Sequence, residues 1–126
     1  MIVEEPDRWI VYPRHVLVES AEATFAVGLE LRFDTNLYLS VEGSPSLMRS
    51  PRRDADAQAI ESIRDAPGSR QASLVLFNSG SVRLVLSNGM VLQASTEAGG
   101  TIRCHRPGDF EWVSRDGTVT RERGGD

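Results

Sequence analysis

The stretch "RCHRPGD" sets Cys104, His105 and Asp109 side by side in the sequence. A thiol nucleophile needs a nearby base and a carboxylate to orient that base, and this segment supplies all three residue types. Read as a strand, however, it sends Cys104 and His105 to opposite faces, because successive side chains alternate. The second histidine, His15, would have to arrive from elsewhere. Cys104 is therefore expected to be a buried structural cysteine. His15, His105 and Asp109 could ligate a metal by residue type alone. No H-x-x-x-H, H-x-H or C-x-x-C spacing supports that, so neither a metal nor a cofactor is expected. The carboxylate pairs Glu19/Glu22 and Asp54/Asp56 read as surface charge, and the second suits a helix start through the helix dipole. Gly99-Gly100 and "NSGS" at Asn78 lack a phosphate-loop spacing and read as turns. No catalytic residue is assigned, and the chain reads as a non-enzyme.

The polar group that stands out is Arg103, His105, Glu111 and Trp112. Alternation places Arg103 and His105 on one strand face, opposite Ile102 and Cys104. An exposed arginine beside histidine and tryptophan suits the centre of a protein contact. The competing reading of Trp112 is that it fills the core.

These residues need a scaffold, and the sequence describes one twice. "LELRFDTNLYLSV" from Leu29 and "VRLVLSNGMVLQA" from Val82 share a pattern at a shift of 82 − 29 = 53 positions. Leu29, Leu31, Phe33, Leu37, Leu39 and Val41 match Val82, Leu84, Leu86, Met90, Leu92 and Ala94. Period-two alternation puts each set on one strand face. Asn88-Gly89 favours a tight turn because both residues tolerate positive φ, and Asn36 holds the slot of Gly89 in the first copy. Each copy is thus a β-hairpin with one apolar face. A lone hairpin is marginal in water, so the two are expected either to cover each other or to join one sheet.

Further strands are expected at "WIVY" from Trp9, "VLV" from Val16, "ATFAV" from Ala23, "SLVLF" from Ser73 and "TIRC" from Thr101. A third hairpin runs through "FEWVSRDGTVTRE", turning at Asp116-Gly117, with Phe110, Trp112 and Val119 as its apolar residues. One short helix is expected after Ser50 as cap and Pro51 as first residue, with Ala57, Ile60 and Ile63 as its stripe and Pro67-Gly68 as its stop. The expected fold is mainly β (α+β): seven to nine strands in antiparallel sheets built on two similar hairpins and a C-terminal hairpin, plus that helix. Residues 1–126 form a single domain, with 121–126 as a disordered tail.

Composition sets the outer limits. The chain has 126 residues, 14 basic and 18 acidic, a net charge of −4 and a pI near 5.2. That balance argues against nucleic acid as a partner. Every basic residue is arginine, which fits a high-GC bacterial genome and a surface of planar, permanently charged groups. One cysteine excludes an internal disulfide. The acidic start and the absence of a long apolar run argue for a cytoplasmic protein with no membrane partner.

The hairpin "SVRLVLSNGMVLQA", with Val82, Leu84, Leu86, Asn88, Gly89, Met90 and Leu92, followed by a C-terminal Trp-containing hairpin, resembles a family of small actinobacterial β-rich proteins of unknown function. That family is similar in layout to toxin-immunity proteins. The resemblance implies a protein-binding role and carries no functional residue across. The functional expectation is therefore a non-enzymatic cytoplasmic protein-binding domain, immunity-like in its most concrete form, whose partner is another protein of basic character. Two alternatives stand beside it: a small-ligand-binding protein or minor enzyme with a pocket between the repeated hairpins, and a homodimer joined through edge strands.

Overall fold

A computed structural model describes residues 2–12, 14–24, 28–42, 46–49, 66–97 and 99–123. Twelve strands lie among them: β1 (Ile2–Glu5), β2 (Arg8–Val11), β3 (Val18–Thr24), β4 (Gly28–Phe33), β5 (Tyr38–Glu42), β6 (Ser46–Arg49), β7 (Gln71–Phe77), β8 (Ser81–Leu86), β9 (Met90–Ser95), β10 (Thr101–Arg106), β11 (Phe110–Arg115) and β12 (Thr118–Arg123). The fold is mainly β, as the alternation predicts. The strand count exceeds the expected seven to nine, in part because β1 and β6 are four-residue edge strands, too short to show a period in the sequence. The expected helix falls on residues 50–65, outside the described residues. Among the described residues the only helical turn is the 3-10 turn Asp34–Asn36. Arg121–Arg123, expected in the tail, belong to β12.

The strands form two antiparallel six-stranded sheets, ordered β1-β2-β7-β8-β9-β6 and β12-β11-β10-β5-β4-β3. One face of each is apolar, and the two faces share a single buried cluster, so the sheets pack as a sandwich. All twelve apolar residues of the repeated hairpins are buried, at 9% exposure or less. One hairpin, β4–β5, lies in the second sheet and the other, β8–β9, in the first. The copies therefore solve their burial problem by lying in opposite sheets whose apolar faces share one core. At about 25 cal/mol per Å² of apolar surface removed from water, this shared face is the main stabilising term.

The duplication runs further than the hairpins. β3 and β4 shifted by 53 give the bounds of β7 and β8. Both β3–β4 and β7–β8 carry a register shift at matching places, between Val18 and Ser20 and between Gln71 and Ser73. A bulge inserts one extra residue and bends its strand, so Glu19 and Ala72 bend their strands alike. The turn hydrogen bonds match as well. Asp34 N donates to Leu17 O at 2.8 Å, and Ser87 N donates to Arg70 O at 2.8 Å.

A pseudo-twofold axis relates the copies, and it passes where equivalent residues meet. Leu17 bridges Arg70, its own counterpart, since 17 + 53 = 70. Around that bridge the bonds come in pairs: Val18 N to Ser69 O and Gln71 N to Val16 O, both at 2.9 Å. Likewise His15 N bonds Gln71 O and Gly68 N bonds Val18 O. His15 (φ 67°) and Gly68 (φ 93°) occupy the same left-handed slot. His15 is thus a turn residue in this fold, doing the work of a glycine.

Each sheet takes three strands from each half of the chain. The first half supplies β3–β5 to one sheet and β1, β2 and β6 to the other; the second half supplies β7–β9 and β10–β12 in the complementary way. Among the described residues the halves pair along three strand seams, β2 with β7, β6 with β9, and β5 with β10, and at the Leu17–Arg70 bridge.

Buried polar groups pin the sandwich at its ends. Ser114 Oγ donates to Gly80 O at 3.0 Å, Thr96 Oγ1 bonds Ser114 Oγ at 2.5 Å, and Gly117 N donates to Thr96 Oγ1 at 3.0 Å. These hydroxyls tie the β7–β8 turn to the β11–β12 turn. Near the β10–β11 turn, Arg106 Nη1 donates to Tyr12 O at 3.0 Å and to Asp109 Oδ2 at 2.8 Å. Arg121 of β12 lies over the Trp9 ring at 5.4 Å and donates to Asn78 Oδ1 at 2.8 Å. Its stem covers apolar surface while its head reaches polar partners.

Candidate functional site

The inner positions of the two hairpins are all apolar, whereas the outer positions of the two copies differ. Glu22, Arg32 and Tyr38 on the second sheet stand where Val75, Val85 and Val91 stand on the first. Packing fixes the inner face and leaves the outer one free to diverge. The polar outer face of the second sheet is where the singled-out residues fall.

Strand register sets them in rows. Arg32 pairs with Tyr38, Tyr38 with His105, and His105 with Glu111. The Arg32 guanidinium lies 4.9 Å from the Tyr38 ring centre, and the Tyr38 and His105 rings are 5.2 Å apart, tilted by 48°. The next row sets Ser40 opposite Arg103 and Arg103 opposite Val113. Arg32, Arg103 and Glu111 are exposed; Tyr38 and His105 are half-buried. Partial burial raises the Tyr38 pKa, and the negative charge of Glu30 raises it further. Tyr38 therefore stays a neutral hydroxyl, able to donate and accept.

Three of the four expected residues, Arg103, His105 and Glu111, share this face. Trp112 does not. It is fully buried and pairs with Cys104 on the inner face. The alternation that puts Glu111 outside must put its neighbour inside, so Trp112 belongs to the core. Arg32 and Tyr38 were missed because their place beside His105 depends on the β5–β10 seam. That seam joins residues far apart in the chain. The signal available was the repeat itself, since Arg32 and Tyr38 are polar where their counterparts are valine.

Two open clefts flank His105. One, of about 310 Å³, is lined by Glu19, Arg32, Tyr38, His105 and Pro107. The other, of about 620 Å³, is lined by His105, Arg106, Asp109, Glu111, Glu122 and Arg123. Asp109 is partly buried, which by itself would raise its pKa. The hydrogen bonds and positive charge around it, Arg106 included, more than offset this and hold it below the usual carboxylate range.

The alternative chemistry does not assemble. Cys104 is buried in the core, and burial pushes its thiol far above the usual range, against a small opposing effect of Arg106. His105 lies on the opposite face, and His15 is exposed at the pseudo-twofold corner. Among the described residues no three His, Cys, Asp or Glu side chains gather to hold a metal. Asp54 and Asp56 lie outside the described residues. No described helix is long and apolar enough to cross a membrane. Comparison with protein-family models, with curated proteins and with solved structures finds no match.

Proposed function

We propose that the chain is a non-enzymatic cytoplasmic protein-binding module whose contact surface is the outer face of the second sheet. The observation that carries this reading is the cross-strand row Arg32–Tyr38–His105–Glu111 with Arg103 beside it. Arginine and tyrosine are the residue types that dominate binding energy at protein interfaces. A rigid sheet holds these side chains in place before binding, which lowers the ordering cost. The same outer face carries Glu22, Glu30, Glu42, Glu111 and Glu122 against Arg32, Arg103 and Arg115. Five carboxylates against three guanidiniums, on a chain of net charge −4, suit a partner with a basic patch. Neutralisation of a bacterial toxin, the role implied by the resemblance to immunity-like proteins, is the concrete version of this reading. The pocket alternative needs space between the repeated hairpins, where twelve apolar side chains are already buried.

The test is capture of the partner from lysate of the native host, repeated with Tyr38→Ala and Arg103→Glu. The expected result is one stoichiometric protein, with affinity reduced at least 30-fold, about 2 kcal/mol, by each substitution. Equal capture by all three proteins would move the surface elsewhere. Turnover of a metabolite by a protein that captures nothing would overturn the reading altogether.

A further inference from the structure

The topology points to a second copy of this chain as a binding partner, through exchange of whole halves. Neither half owns a sheet: each supplies three strands to both, and all three seams join one half to the other. The only covalent tie between the last strand of the first half and the start of the second is the sequence from Ser50 to Asp65. Every seam can therefore form between the first half of one chain and the second half of another, with no strand pair altered. Closure within one chain is favoured at low concentration because a short tie keeps the halves at an effective concentration near millimolar. Once that tie cannot span, closure between two chains is what remains, and exchange of identical elements is a low-cost route to a dimer.

The exchange bears directly on the candidate site. Arg32 and Tyr38 belong to the first half, His105 and Glu111 to the second. In the exchanged dimer each row is built from two chains, and two such rows face solvent. This last consequence rests on the proposed function; the exchange itself does not.

Strand geometry supplies the test. Arg49 at the end of β6 and Gln71 at the start of β7 lie at the same end of their sheet with β9 and β8 between them, three strand spacings or roughly 14 Å apart. Deleting residues 51–69 leaves two residues between Arg49 and Gln71, which reach at most about 11 Å, with loss of the bonds that Gly68 and Ser69 make to Val18. The expected product is a folded dimer by light scattering, with the near-ultraviolet circular dichroism of the parent chain. A folded monomer would overturn the inference. A second measurement covers a deletion that does not fold. Leu31→Asp and Leu84→Asp each place a charge in the core, one in each half of the full-length chain. Refolded together, they can form a dimer in which one lobe combines two unaltered halves. Recovery of about half the native signal in a species of dimer mass is expected on that ground. A mixture that recovers no more than the two chains refolded separately overturns the inference, whatever the deletion does. An edge-to-edge dimer would show no such recovery.

Discussion

Leu31 and Leu84 are repeat counterparts, each fully buried and each facing a leucine across its hairpin, Leu39 and Leu92. Truncating either to alanine removes the same group from the same kind of site. Leucine-to-alanine changes in such cores cost the lost transfer free energy plus a cavity, about 3–5 kcal/mol. A domain of 126 residues has a total stability of roughly 6–19 kcal/mol. Each single variant should therefore fold, and the pair combined should sit near the edge of stability. At about 2.1 cal/mol/K per residue of unfolding entropy, a 3 kcal/mol loss lowers Tm by about 11 °C. Urea titration followed by tryptophan fluorescence gives both free energies, with unchanged slopes marking intact two-state unfolding. Each loss should fall in that range of about 3–5 kcal/mol on its own, because Leu31 has Ala21 beside it in the sheet where Leu84 has Leu74. A loss below about 1 kcal/mol at either site would refute the claim that the hairpins lie in opposite sheets and share one packed core.

Four further outcomes follow from local geometry. Gly28 has φ +120°, and a Cβ there would strike the Val41 carbonyl. Gly28→Ala should therefore destabilise far more than Gly89→Ala, whose Cβ would meet nothing, by urea titration of both. Asp109→Ala leaves the mostly buried Arg106 without its carboxylate and should cost about 3 kcal/mol, while adding Arg106→Met recovers most of that, because the uncompensated charge is gone. Because folding depresses the Asp109 pKa, its stabilisation is present above the unfolded carboxylate pKa near 3.9 and fades as pH falls through the lower folded value. A stability difference between parent and Asp109→Asn that grew on acidification would contradict that sign. Cys104 should resist a thiol reagent at neutral pH in the native state and react at once in denaturant; rapid native labelling would show that the thiol is not sealed in the core.

The hairpins were legible in the sequence because their six apolar positions alternate without a break and recur at a fixed shift. The third strand of each copy was harder to align. The bulges at Glu19 and Ala72 interrupt the alternation within β3 and β7, and Glu22 against Val75 hides their kinship. The placing of the copies in opposite sheets, and the three seams between the halves, depend on pairing between distant segments, which no local pattern encodes. The same division holds at the site. Alternation alone sets Arg103, His105 and Glu111 outside and, applied consistently, sets Trp112 inside. The stack of Arg32 on Tyr38 on His105 required knowing that β5 lies against β10. His15 read as a chemical residue from its type, but the pseudo-twofold axis shows it filling a glycine's conformation.

The edges of the sandwich carry one more consequence. Arg123 of β12 donates to the carbonyl of Ile2 in β1 at 3.4 Å and lies 3.8 Å from Glu4. The first and last strands are thus neighbours in space, so a short peptide can join them. A chain closed there and opened between Arg49 and Ala66 would keep every strand pair while reversing the order of its halves. Seen this way, the molecule is a ring of two interlocked repeats. Where that ring is cut sets the order in which the repeats are read but leaves the core and the outer face as they are.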